Sequence, residues 1–235
     1  MESKGKLFLI PTIIAEDAAD TIPSSVLESI KLINHFLAED TRTARRFLSS
    51  LNIYESIEPL QFYTLNKDTK EGELAEMFVP LFSGQNMGCL SESGCPGVAD
   101  PGALAVNFAH QKNIQVVPLV GPSSILLALM ASGLNGQQFA FHGYLPIDSK
   151  EASQKIKALE KESSQKNQTQ IFIETPYRNN QILKHLIESL HSTTQLCVAL
   201  DLTGKSEFIK TKTVGEWKTN TPSLPKEPAV FLFLA

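Results

Sequence analysis

Two hydrophobic rhythms alternate along the chain. Short apolar runs occur at Leu7 to Ile10 (closed by Pro11) and at Met87 to Leu90, and a further strand is expected at Ile114 to Leu119. Compact runs of this kind suit strands covered on both faces. Between them, apolar residues recur three and four positions apart. Val26, Ile30, Ile33 and Leu37 predict a helix over Pro23 to Leu37, with Thr21 or Ser24 as cap and Pro23 in its first turn. A second helix is expected from Thr43 to Leu51, after Ala38-Glu39-Asp40 and Arg42. Leu74, Met77, Phe78 and Leu81 mark a third, and Ala103 to Gln111 a fourth.

The second half repeats the alternation. It offers an apolar helix at Ser123 to Ser132, a strand at Phe139 to Leu145 and a polar surface helix at Lys150 to Lys166. A strand at Ile171 to Glu174, a helix at Tyr177 to Leu190 and a strand at Leu196 to Leu200 follow. Glu207 to Val214 alternates, with Phe208, Lys210 and Lys212 on one side, as an antiparallel strand with one wet face does. Ala229 to Leu234 closes the chain as a buried strand. Strand–helix alternation predicts the α/β class, with a mostly parallel sheet in the first half and a mixed sheet in the second. Pro118, Gly121 and Pro122 punctuate the middle, so the expected domains are 1–118 and 119–235.

The length, 235 residues, is one large or two small domains at roughly 150 residues each. Apolar residues make up 42%, enough for a sizeable core, which excludes a disordered or coiled-coil chain. The net charge is −4. A protein held on nucleic acid by charge alone is basic, so any such contact here is a local patch or a surface shared in a dimer. Cys89, Cys95 and Cys197 cannot all pair within one chain and lack metal spacing; free thiols suit a reducing cytosol. The histidines show no metal spacing either, so no metal is expected. The opening apolar run is too short for a secretory signal, and no stretch is long enough to span a membrane, so a cytoplasmic protein is expected.

Familiar signatures are missing. Gly204-Lys205-Ser206 resembles the end of a phosphate loop, but Ala199 stands where the first glycine is required. No Gly-x-Gly-x-x-Gly and no Gly-x-Ser-x-Gly occurs. Two turn-rich loops remain, Ser91 to Gly102 and Gly121-Pro122-Ser123-Ser124. Each follows a strand, where open α/β sheets bind ligands, and their glycines let backbone amides approach closely. Tight turns without a ligand are the plain alternative.

In these loops the sequence resembles the tetrapyrrole methylase superfamily, and within it the small-subunit rRNA cytidine 2′-O-methyltransferase branch. The resemblance rests on ordered segments: Leu9-Ile10-Pro11-Thr12-Ile13, Ala38-Glu39-Asp40-Thr41-Arg42 with Arg45, Ser91 to Gly102, Val117 to Ser124, and Ala131-Ser132-Gly133-Leu134. Phe141-His142-Gly143-Tyr144-Leu145-Pro146 and Glu174-Thr175-Pro176-Tyr177-Arg178 complete the set. Three departures stand out. The first loop reads Pro11-Thr12-Ile13-Ile14-Ala15, without the family's glycine. The family's aspartate-alanine-glycine-threonine-proline is Glu92-Ser93-Gly94-Cys95-Pro96. A histidine-rich strand end is Phe62-Tyr63-Thr64-Leu65-Asn66. The extra C-terminal helical region of longer members is not seen.

The resemblance implies two α/β domains holding S-adenosyl-L-methionine in a cleft between them. Pro11 would wall one side, Ser93, Gly94 and Cys95 would approach the sulfonium and ribose, and Val98 would pack nearby. Ser123 and Ser124 would hydrogen-bond the methionine or adenosine portion. Glu174 or Thr175, with Pro228 or Ala229, would border the adenine. A ribose acceptor needs a base, and Asp100, Glu39 and Asp40 are the catalytic candidates, with Glu174 also considered. Asp40 reads equally well as a helix cap, and Asp100 as a turn residue. Arg42 and Arg178 would meet the phosphates of ribosomal RNA, and the superfamily implies a homodimer. A C- or N-methyltransferase of a tetrapyrrole or other small molecule, and a binding protein that has lost catalysis, remain open alternatives.

Overall fold

The structure, a computed structural model, describes residues 4–235. Part of the opening run read for a secretory signal, positions 1–3, lies outside them. The chain divides into two compact units, Met1–Ser123 and Ser124–Ala235.

The first unit runs β1 (Leu7–Ile10), α1 (Ser24–Ile30), β2 (His35–Ala38), α2 (Thr41–Ser50), β3 (Gln61–Thr64), α3 (Glu71–Met77), α4 (Val79–Phe82), β4 (Met87–Leu90), α5 (Gly102–Gln111) and β5 (Val116–Pro118). Its sheet has the order β3-β2-β4-β1-β5, and every pairing is parallel. Period-two alternation splits the core between the two faces. Leu7, Leu37, Met87 and Cys89 pack on one side with Phe78 and Phe108. Ile10, Phe36, Ala38 and Leu90 pack on the other with Val26, Ile30 and Phe47.

The helix expected over Pro23 to Leu37 is shorter than its spacing suggested. It stops at Ile30, and His35–Ala38 is a strand. Phe36 and Leu37 are fully buried because β2 lies inside a parallel sheet with both faces covered, and Ile33, just before it, is buried in the same core as Ile30 and Phe36. Such a strand has no polar face to interrupt a helical spacing. The Leu74 to Leu81 stripe is likewise two helices, α3 and α4, with Pro80 in the first turn of the second.

The second unit runs α6 (Ser124–Ser132), β6 (Phe139–Phe141), α7 (Ser149–Lys166), β7 (Thr169–Glu174), α8 (Asn179–Ser189), β8 (Gln195–Leu200), β9 (Phe208–Thr213), α9 (Val214–Thr219) and β10 (Ala229–Leu234). Its sheet has the order β6-β7-β10-β8-β9. Only β6 and β7 pair in parallel; the other three pairings are antiparallel, so the sheet is mixed. Phe172, Phe231, Phe233 and Trp217 centre its core, and the Trp217 indole donates to the Leu196 carbonyl at 2.9 Å. Asp148 caps α7 through the amides of Lys150 and Glu151. Among the described residues no helix is long and apolar enough to cross a membrane.

Candidate active site

In the first unit, β4, β1 and β5 are neighbours, and the loops at their carboxyl ends are tied together. The Thr12 amide donates to the Gly94 carbonyl at 2.9 Å, joining the loops after β1 and β4. The Cys95 thiol points at the Pro122 carbonyl, 3.4 Å away, joining the loops after β4 and β5. A Cβ on Gly121 would overlap the Pro11 ring, so the loops after β1 and β5 also touch. Gly94 (φ +73°) holds a left-handed backbone that favours glycine. The sequence-expected Pro11, Ser93, Gly94 and Cys95 thus share one edge with Gly121, whereas Val98 lies further along its loop, about half exposed.

This edge is chemically neutral. Loop residues 11–12, 93–98 and 120–122 include no lysine or arginine. Burial, and then the nearby Asp100 charge, push the Cys95 thiol up, so it stays protonated. The Thr12 hydroxyl is buried without a hydrogen-bond partner among the described residues, a polar group left unmet at this edge. Small side chains, carbonyl dipoles and an uncharged thiol suit a bound sulfonium, which a lysine would repel.

Three carboxylates meet at the ends of β2 and β4. Burial first, then Glu39 and Asp40, hold the Glu92 carboxyl above the usual range. Asp40 caps α2: its Oδ1 accepts from the Arg42 amide at 2.7 Å and the Thr43 amide at 2.9 Å. The Thr43 amide bond is the largest reason its carboxyl lies below the usual range. Asp100 organises its own loop, because its Oδ1 accepts from the Gly97 amide at 2.6 Å and the Gly102 amide at 2.8 Å. Glu39 is exposed and makes no hydrogen bond or ion pair among the described residues. Glu92 was missed from sequence as a functional group; its only signal was that it stands where the family has an aspartate.

In the second unit, Glu174 ends β7 opposite Ala229, the first residue of β10. Glu174 is 5% exposed. Its Oε1 accepts from the Thr175 amide at 2.7 Å, and its Oε2 lies 3.3 Å from the Arg178 guanidinium. Arg178 also donates to the Pro146 carbonyl at 3.0 Å. Arg178 therefore orients Glu174 from within the unit, whereas Arg42 is exposed on α2. Asn179 and Asn180 were not foreseen. Asn179 donates to the carbonyls of Glu227 (2.7 Å) and Pro225 (3.3 Å), and Asn180 exchanges two hydrogen bonds with Leu224. They set the approach to Pro228 and Ala229. Ser124 begins α6 directly after Ser123. Among the described residues no group of three His, Cys, Asp or Glu side chains could hold a metal ion.

Comparisons with known proteins show the family and the fold. The family model for tetrapyrrole (corrin/porphyrin) methylases matches residues 18–218. Ribosomal RNA small subunit methyltransferase I of Escherichia coli O157:H7 is 31% identical over 214 residues, 91% of this chain and 71% of that one. The protein of that name from Bacillus subtilis (strain 168) is 33% identical over 208 residues, 88% of this chain and 67% of that one. Uroporphyrin-III C-methyl transferase from Thermus thermophilus, solved with S-adenyl homocysteine, shares the fold with a TM-score of 0.57 at 14% identity, covering 98% of this chain and 97% of that one. The methyltransferase CobJ superimposes with a TM-score of 0.60 at 13% identity, over 98% of this chain and 94% of that one. Matched by that model over most of its length and by relatives at 31% and 33% identity, this chain belongs to the tetrapyrrole methylase family and is a methyltransferase.

Proposed function

We propose that the chain methylates a ribose 2′-hydroxyl of small-subunit ribosomal RNA, in the cytoplasm and as a homodimer. Family membership supplies the donor, S-adenosylmethionine. The observation that carries the choice of acceptor is the similarity, at 31% and 33% identity over 91% and 88% of the chain, to proteins named for that RNA.

When bound, the donor presents an electrophilic methyl group on a sulfonium. The chain's own contribution is positional. Pro11, Gly94, Cys95 and Gly121 shape the neutral edge against which the donor is proposed to lie, with Ser93 and Val98 beside it. Ser123 and Ser124 are proposed for its polar parts, and Glu174, Thr175, Pro228 and Ala229 for the adenine. A ribose hydroxyl is a weak nucleophile and needs a base for its proton. We assign that role to Glu39, whose carboxylate is not committed to a cap or turn as those of Asp40 and Asp100 are. Asp40 and Asp100 act here by holding the two loops, and Arg42 meets a phosphate.

Ribose methylation halts reverse transcription at low nucleotide concentration. Ribosomal RNA from a strain lacking this gene is expected to lose one halt in the small-subunit RNA. The wild-type gene restores it, and a Glu39→Gln gene restores it weakly. An identical pattern with and without the gene overturns the proposal.

A further inference from the structure

Tyr177 is 83% exposed, Ile147 81% and Tyr144 58%. Large apolar side chains scattered singly over a surface need no explanation, but these three stand on neighbouring loops of the second unit. We propose that they form a platform on which unpaired bases of the RNA substrate stack, with Lys226 meeting the backbone beside them. The proposal rests on the rRNA-methylating function above.

The topology brings the loops together. β6 and β7 run parallel, and β10 runs antiparallel to β7. The loops after β6 and β7 and the segment before β10 therefore share one end of the sheet. Hydrogen bonds tie them to each other. The Ile173 amide donates to the Gly143 carbonyl at 2.9 Å, and the Arg178 guanidinium donates to the Pro146 carbonyl at 3.0 Å. These bonds bracket Tyr144 and hold Tyr177, the neighbour of Arg178, against the same loop. Asn179 grips the carbonyls of Pro225 and Glu227, which fixes the backbone of Lys226 between them. The Lys226 ammonium lies over one face of the Tyr177 ring, 5.3 Å from its centre. The backbone that carries the exposed rings is thus held in place, so a ligand stacking on them orders little that was free.

The chemistry fits an unpaired strand better than an apolar protein surface. A tyrosine ring presents a flat face on which any base stacks. Lys226 covers one face of Tyr177 and leaves the other to a base. Its ammonium makes no ion pair among the described residues, so a phosphate next to the stacked base would supply its partner. Two of the acids nearby are already committed. Glu174 is spent on the Thr175 amide and Arg178, and Asp148 on the cap of α7, while Glu227 stays beside Lys226. Charge along the chain points the same way. Residues 124–235 carry 12 lysines and arginines against 10 aspartates and glutamates, whereas residues 1–123 carry 9 against 15. A polyanion is better received by the second unit than by the first.

The test is fluorescence anisotropy of the full chain with labelled decaadenylate at low salt, either single-stranded or paired with decauridylate. Wild-type protein is expected to bind the single strand about 10-fold more tightly than the duplex, whose bases are already stacked. Tyr177→Ala is expected to weaken single-strand binding about 10-fold, and Tyr177→Phe, which keeps the ring, to stay within about 2-fold of wild type. Lys226→Gln should flatten the plot of log affinity against log salt by roughly 0.7, the share of one phosphate contact. Calorimetric affinity for S-adenosylhomocysteine should match wild type in all three variants. Absence of binding by wild-type protein, or a Tyr177→Ala protein that binds as tightly, overturns the platform. A Tyr177→Ala protein that instead loses donor affinity, or changes its sedimentation, also overturns it and gives the ring to the donor or to a protein partner. If the strand binds as expected but wild-type protein methylates no small subunit, the platform stands and the rRNA function falls.

Discussion

Gly121 has no room for a side chain, since a Cβ there would run into the Pro11 ring. Gly121→Ala must push the loops after β1 and β5 apart. Such overpacking costs about 1–3 kcal/mol, so we expect a lower melting temperature and at least a 10-fold weaker calorimetric affinity for S-adenosylhomocysteine. An alanine variant that binds as wild type does would remove Gly121 from the site. Cys89 gives a second prediction. Burial, and then Asp100, push its thiol up to about 12 from an ordinary value of 9.0. The unfolded chain therefore loses that proton at lower pH than the folded one. The resulting stability is intact below about pH 9 and falls as pH rises towards 12, by at most about 1.4 kcal/mol per pH unit. Burial raises the Tyr54 phenol too, so it shares the alkaline loss. Urea denaturation at pH 8 and pH 10 should show a smaller alkaline drop in Cys89→Ala than in wild type; equal drops would contradict the assignment. At this scale the sequence was legible where backbone need shows as composition, as in Gly94 and Gly121. It was opaque for Asp40 and Asp100, whose side chains read equally as bases or as anchors until their amide partners were seen.

α8 and β10 form the element-level joint of the second unit. Asn179 is fully buried and holds the Pro225 and Glu227 carbonyls, just before Pro228 and Ala229. Asn179→Ala leaves those carbonyls short of donors at a cost of about 1–3 kcal/mol. Hydrogen exchange at residues 224–229 should speed up, and affinity for S-adenosylhomocysteine should drop with it. Unchanged exchange there would show that the segment is held by other contacts. Most elements were readable from spacing, including the alternating β9 and the all-apolar β10. The failures have separate causes. β2 is buried on both faces, so the rhythm of α1 ran on through the buried Ile33 to Leu37 in a strand. β3 sits at the sheet edge, where Gln61 and Thr64 are exposed and no unbroken apolar run forms. α9 is a short helix whose signal is its cap, Thr213 with Glu216, rather than its periodicity.

For the whole molecule, the parallel character of one sheet and the mixed character of the other followed from the chain's alternation and from the wet face of β9. Strand order did not, because period-two patterns say which face is covered and not which strand is the neighbour. The order matters to function: it makes β4, β1 and β5 adjacent, so that loops far apart in sequence share one neutral edge. With a net charge of −4, the proposed grip on RNA would rest on local arginines and on the surface shared in the proposed dimer. The proposed homodimer should sediment at twice the 25.8 kDa chain mass, and a monomer at working concentration would contradict it. The most direct measurement is transfer of tritium from methyl-labelled S-adenosylmethionine by the purified protein to small ribosomal subunits from a strain lacking this gene. Label is expected in one nucleotide of the small-subunit RNA, resistant to alkaline cleavage on its 3′ side because the ribose is methylated. Subunits that stay unlabelled, or label found on a base alone, would contradict ribose methylation by this chain.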